Sequence, residues 1–298
     1  MLLALKVDVD TYRGTQEGVP LLLELLKKYR VDGTFLFSLG PDNTGRAIRR
    51  IFRPGFLQKV QRTSVVSHYG VRTLLYGTLL PGPDIGRRCA ETMRAVKRDG
   101  FEVGIHCWDH VRWQDTVALA DAAWTERQMD LAFRRFSDIF SEEPQGMGAA
   151  GWQTNRHAAW YQEQRLAYAS DTRGFCPFLP MWNGVRAGCP QLPTTLPTLD
   201  ELLGTDGIDE TNVHEHLLGL TRQPRLHVFT AHAELEGGRL LPAFERLLAG
   251  WKGQGYDVVD MKTLFGTLDA GGLPRHDVVY AEVPGRSGTL ACQAKETA

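Results

Sequence analysis

The chain has 298 residues, 43% of them hydrophobic and 23% charged, with a formal net charge of −1. This composition excludes a wholly disordered chain, and the length suits one α/β barrel-sized domain as well as two smaller ones. The near-zero charge gives no reason to expect a nucleic-acid partner. The five cysteines are odd in number, widely spaced and without a CxxC pair, so no disulfide framework is expected. Lys6, Asp8 and Asp10 interrupt the opening apolar residues, so no secretory leader is expected, and no run of ~20 apolar residues could span a bilayer. A cytoplasmic protein is expected.

In chain order, LLALKVDVD reads as a buried strand with its polar residues at the C-terminal edge. EGVPLLLELLKKY follows with helical spacing, and GTFLFSLG reads as a second strand. A helix is expected at 86–98, the strand FEVGIH at 101–106, and a helix at 123–139. Strands are expected near 145–149, 166–170, 184–186 and 225–231, helices near 155–165, 211–221 and 239–252, and a last strand over YDVVDM at 256–261. This alternation predicts a parallel sheet, open or closed into a barrel, with ligands at the C-terminal strand ends. With no repeat or low-complexity linker, one domain over 1–298 is the preferred reading, carrying an insertion at about 41–85.

Asp8 and Asp10 are two apart at the end of the first strand, so both carboxylates project from one face. Paired acids there are costly unless a cation or a catalytic proton justifies them, although a capping or turn role would explain either alone. In HCWDH, His106 and His110 are four apart. If the strand runs directly into a helical turn, both imidazoles reach a single cation; two polar loop histidines are the alternative. His232 ends LHVFTAH at the same rim, where a lone histidine is more often structural than catalytic. His227, earlier on that strand, is expected to be buried or packed outside.

With Asp8 and Asp10, His106 and His110, and His232 in this order, the chain resembles the NodB-type polysaccharide deacetylases. The resemblance covers nearly the whole chain. It implies a distorted (β/α)7 barrel, a divalent metal held by one Asp and two His, and hydrolysis of an N-acyl group from an amino sugar. DVDTYRGTQEGVPLLLELLKKY, FSLGPDNTGR, EVGIHCWDHVRWQ and VFTAHAELEGG are similar to one subfamily, the deformylases of 4-deoxy-4-formamido-L-arabinose-phosphoundecaprenol. That subfamily serves Gram-negative lipid A modification and resistance to polymyxin and other cationic peptides.

By the family's order, Asp8 is the general base and Asp10 the ligand beside His106 and His110, while His232 donates a proton to the leaving nitrogen. Zinc is the first expectation for the ion, with manganese, cobalt, nickel or iron as alternatives. Asp109 is a candidate hydrogen-bond partner of a ligand imidazole. The chain departs from the pattern in three places. Val9 splits the usual adjacent acids, Cys107 replaces a Ser or Thr, and MGAAGWQTN at 147–155 stands where an Arg-x-Pro-x-Gly motif belongs. Arg173 is the candidate to orient the catalytic Asp in its place.

Between Asp42 and Asp84 there is no acidic residue but seven basic ones, leaving the remainder of the chain at −8. Arg46, Arg49, Arg50 and Arg53 are interleaved with Phe52, Phe56 and Leu57, a basic amphipathic pattern that fits an anionic membrane surface and a phosphate-linked lipid. An ordinary solvated lid is the alternative. The expected partner is an undecaprenyl-phosphate-linked sugar, met peripherally at the cytoplasmic face of the inner membrane. The competing activities are N-deacetylation of another amino sugar, hydrolysis of a cyclic amide or ureide, and non-catalytic binding of a lipid headgroup.

Overall fold

The first strand, β1 (Leu2–Val9), is buried along its length past Leu2, as an apolar run covered on both faces requires. The computed structural model describes residues 1–47 and 71–295. Six further parallel strands complete the main sheet: β2 (Thr34–Ser38), β3 (Glu102–Cys107), β4 (Gly146–Met147), β5 (Tyr168–Ala169), β8 (His227–His232) and β9 (Asp257–Val259). Their order is β5-β4-β3-β2-β1-β8, with β9 also pairing β1. The sheet curls into the distorted (β/α)7 barrel expected from the resemblance. Residues 190–195 bridge from β5 to β8 without forming a strand: Leu192 N donates to Ala169 O at 2.8 Å and Thr195 N to Val228 O at 3.0 Å.

Side-chain alternation along β1 divides two environments. Leu3, Leu5, Val7 and Val9 join the main apolar cluster with Phe35 and Phe37 of β2 and with Leu22, Phe136, Phe244 and Leu248 of the surrounding helices. Each such buried side chain contributes roughly 1.5–3 kcal/mol. Ala4, Lys6 and Asp8 take the other face, in register with Val228, Thr230 and His232 of β8. This face turns progressively more polar toward the C-terminal ends of the strands.

The helices start where the strand-exit loops deliver capping side chains. Asp109 caps α1 (His110–Thr116) by accepting from Arg112 N, Asp121 caps α2 (Ala122–Phe140), and Asn155 caps α3 (Arg156–Glu163). Each satisfies a backbone N–H that would otherwise lack a partner. The helix expected over 86–98 is two helices, Ile85–Arg88 and Ala90–Arg98, meeting at Cys89. All five cysteines are free.

A second sheet has the order β11-β10-β6-β7, built from β6 (Leu179–Trp182), β7 (Val185–Arg186), β10 (Arg275–Glu282) and β11 (Thr289–Gln293). The strand expected at 184–186 therefore belongs here and not to the barrel. The pair β10–β11 lies beyond the last strand expected from the sequence. Its connecting turn carries Arg286 back to the barrel mouth, where it bonds Glu201.

Of the expected basic insertion, Arg49, Arg50, Phe52, Arg53, Phe56 and Leu57 lie outside the described residues. The flanks are described. Arg46 Nε donates to Gly77 O at 2.9 Å, and Val71, Leu79 and Leu80 are 65%, 81% and 37% exposed.

His227 begins β8, at the end of the barrel away from His232, with its Nδ1 3.2 Å from Thr195 Oγ1 and its ring 6.0 Å from that of Tyr256. Burial first, and Arg225 second, lower its pKa from 6.5 to about 4. Between these values the unfolded chain binds a proton that the folded chain refuses, so stability falls as pH drops from 6.5 toward 4, by up to about 3 kcal/mol. His227→Gln should flatten this part of a chemical-denaturation profile measured against pH. An unchanged slope would show that His227 charges equally in both states.

Candidate metal centre and active site

The acids and histidines singled out in the sequence converge at the C-terminal ends of the parallel strands. Asp8 is the penultimate residue of β1 and Asp10 follows its end; His106 lies in β3, His110 is the first residue of α1, and His232 closes β8. The step from β3 into a capped helix supplies the geometry that HxxxH needs. The two imidazole centroids are 5.3 Å apart.

Asp10, His106 and His110 each offer a donor atom within 4.8 Å of the others. His106 Nε2 is 3.1 Å from Asp10 Oδ1, and His110 Nε2 is 3.4 Å from Asp10 Oδ2. His106 Nδ1 donates to Gly148 O at 2.7 Å, which in the neutral ring leaves Nε2 as an acceptor facing a carboxylate oxygen. Two lone pairs at that separation repel unless a cation lies between them or a proton is shared. The donor set therefore fits a divalent ion, being two nitrogens and a carboxylate with room for further ligands.

The electrostatics agree with this geometry. Burial alone would raise the pKa of Asp10, but His110, His106 and His232 hold it far below the ordinary carboxylate range. For His106, burial pulls downward, and Asp8 and Asp10 outweigh it to raise the pKa. His232 is dominated by burial, which lowers its pKa despite the Asp10 carboxylate. Its Nδ1 is buried without a hydrogen bond.

Asp8 has two different sides. Its Oδ2 is 3.6 Å from Lys6 Nζ, whereas its Oδ1 is buried and makes no hydrogen bond. The register pairs Asp8 with His232 on the neighbouring strand, so the two groups stand side by side at the rim.

Two expectations need correction. Arg173 does not reach Asp8; its Nη1 donates to Glu201 Oε1 at 2.5 Å and its Nη2 to Leu196 O at 2.9 Å. Glu201 is buried and acidic, and captures the guanidinium. Nor do the hydrogen bonds of Asp109 go to an imidazole. One of its oxygens caps α1 and the other accepts from Asn43 Nδ2 at 2.7 Å, so Asp109 holds the helix that presents His110.

Several participants escape the sequence reading. Glu234 Oε1 accepts from Asp10 N at 3.1 Å, Thr11 N at 2.8 Å and Thr11 Oγ1 at 2.8 Å, fixing the turn that carries Asp10. Burial, and after it the Asp10 carboxylate, push its pKa well above the usual range. Gly14 is required beside it, because a Cβ there would lie 1.9 Å from Glu234 Oε1. The 147–155 segment contributes the Gly148 carbonyl and Trp152, whose backbone is left-handed with φ 51°. The Trp152 ring lies against Lys6, Arg173 and Arg286 and meets His232 edge-on at 6.2 Å. HAEL directly after the strand was the available signal for Glu234; nothing local marks Trp152.

No protein-family model matches the chain. A protein of Shewanella sediminis strain HAW-EB3 bearing the name "Probable 4-deoxy-4-formamido-L-arabinose-phosphoundecaprenol deformylase ArnD" is 38% identical over 292 residues, covering 97% of this chain and 94% of its own. A Wigglesworthia glossinidia brevipalpis protein of the same name is 30% identical over 288 residues, covering 95% and 99%. Among solved structures, one titled as a polysaccharide deacetylase from Mycobacterium smegmatis superposes with a TM-score of 0.63 at 17% identity, covering 95% of this chain and 94% of that one.

Replacing His106 or His110 by Ala should abolish stoichiometric binding of a divalent ion, since two remaining side chains hold one weakly. Titration calorimetry with zinc and cobalt on the metal-stripped protein reads this directly. Full occupancy in both variants would remove the pair from the ligand set.

Proposed function

The chain belongs to the 4-deoxy-4-formamido-L-arabinose-phosphoundecaprenol deformylases of the polysaccharide-deacetylase family, hydrolases of amide bonds, and from that membership we propose that it removes the N-formyl group of this lipid-linked sugar. The products are formate and the aminoarabinose lipid, which serves lipid A modification and resistance to polymyxin and related cationic peptides. The observation that carries the reading is the placement of Asp8 and His232 in register on adjacent strands, beside the Asp10–His106–His110 cluster.

An amide resists hydrolysis because water is a weak nucleophile and an amine a poor leaving group. Asp10, His106 and His110 would hold the divalent ion, zinc by donor type, which when bound would supply Lewis-acid polarisation of the formyl carbonyl and a more acidic water. Asp8 is the general base, its Oδ1, which makes no hydrogen bond and lies 3.9 Å from His106 Nδ1, taking a proton as water adds to the formyl carbon. His232 delivers a proton to the sugar nitrogen as the C–N bond breaks. Burial disfavours the charged imidazole of His232, and Asp8, in register on the neighbouring strand, is placed to return to it the proton taken from water. Asp109 and Glu234 keep His110 and Asp10 in place throughout.

The polyprenyl tail requires the enzyme to work at a membrane. No helix among the described residues is long and apolar enough to cross one. Attachment is instead peripheral, at the cytoplasmic face of the inner membrane, through the basic stretch from 41 to 85. The exposed Val71, Leu79 and Leu80 beside Arg46 and Arg72 support this at its described ends.

Incubation of the purified protein with formamido-arabinose undecaprenyl phosphate should give a mass loss of one formyl group and release formate, and a chelator should stop both. Release of acetate from an N-acetyl analogue at equal rate would favour a general deacetylase. Asp8→Asn should keep the ion yet lose most turnover, and His232→Ala should lower kcat by ~10²–10⁴ without loss of metal. Metal loss in Asp8→Asn but not in Asp10→Asn would exchange the two roles.

Leu79→Glu combined with Leu80→Glu should weaken sedimentation with anionic liposomes and raise KM for the lipid-linked substrate. Formate release from a short-chain soluble analogue should stay unchanged. Equal loss on both substrates would make this turn a structural lid.

A further inference from the structure

A lysine with no exposed surface is rare unless it is paired. Lys6 sits on the inward face of β1, one residue pair below Asp8 and in register with Thr230. Burial pulls the Lys6 pKa down and the Asp8 carboxylate opposes that pull, while the Lys6 amino group is fixed from several sides. Nζ donates to Ser170 O at 3.2 Å, stands 5.5 Å from the centre of the Trp152 ring, and is 3.6 Å from Asp8 Oδ2. Gly148 leaves room for it, since a Cβ there would lie 3.3 Å from Nζ. The Trp152 backbone is held in a left-handed conformation that a tryptophan seldom adopts.

The geometry points to Lys6 as the positioning residue of the general base: it holds one Asp8 oxygen so that the other is presented to the attacking water. This rests on the reading of Asp8 as base and extends it. The 147–155 segment, which lacks the family's arginine, contributes a seat for the cation through Gly148 and Trp152 in place of the cation itself. Lys6 reaches Asp8 from within the same strand. Arg173 and Arg286, the other cations around Trp152, bond Glu201, with Arg286 also reaching Asp200. They complete the platform beneath Lys6 without touching the base. Lys6 contacts no reacting atom, so its effect passes through the direction and charge of the Asp8 carboxylate.

The test measures formate release from a soluble formamido-arabinose phosphate analogue by the metal-loaded enzyme, together with metal content. Lys6→Met, similar in length but uncharged, should lower kcat by about 10², the scale of loss for a misplaced catalytic group, while KM and metal stoichiometry stay as in the parent. Lys6→Arg should restore most of that loss. In an Asp8→Asn background, Lys6→Met should cost nothing further, because the two residues act as one unit. Should Lys6→Met alone not fold, the double variant, which leaves no carboxylate at position 8 without a counter-charge, is compared with Asp8→Asn alone. Equality supports the role. An undiminished kcat in Lys6→Met, a matching rise in KM, or a further loss in the Asp8→Asn background would each overturn it. An Asp8→Asn enzyme with full activity would instead overturn the base assignment beneath it.

Discussion

Asp10 and His106 face each other as two acceptors inside the barrel mouth, and this opposition is the constraint around which the rest is arranged. A proton on His106 Nδ1 is committed to the Gly148 carbonyl, so Nε2 cannot relieve the repulsion without a second proton or a cation. Every neighbouring element then has one task, to prevent the two groups from turning away. Glu234 grips the Asp10 turn, Asp109 and Asn43 grip the start of the helix carrying His110, and Gly148 holds the His106 ring. A site so heavily braced is prepared for an ion before the ion arrives, which reduces the reorganisation needed on binding.

Part of this was legible in the sequence because it depends on short-range periodicity. The apolar run of β1 ending in Asp8 and Asp10, and the strand-to-helix step through HCWDH, follow from spacing alone, and both sites fall where such spacing puts them. Lys6 was visible only as an interruption of an apolar run. Its meaning depends on Ser170 and Trp152, more than a hundred residues away, and no local pattern encodes that meeting. Arg173 failed as a candidate for the same reason, since the carboxylate that takes it, Glu201, is brought near by tertiary folding.

The second sheet teaches a different lesson. The two runs over 275–293 alternate about a PGRSG turn, a readable hairpin signal, yet they break the strand–helix rhythm that makes a barrel recognisable. The hairpin matters because its turn returns Arg286 to Trp152 and Glu201. An element outside the barrel thus completes the wall of the barrel mouth.

The position of β1 also governs how the chain can assemble. It lies inside the sheet, next to the β8 edge, yet its partners β8 and β9 come more than two hundred residues later, so an N-terminal strand with an unfilled edge must wait while the rest is synthesised. Pairings of such long sequence separation form slowly and leave apolar edges exposed to other chains. The same register that aligns Asp8 with His232 therefore makes the nascent protein dependent on late C-terminal closure. Loss of the last third should be read first as a failure of assembly, before any loss of chemistry.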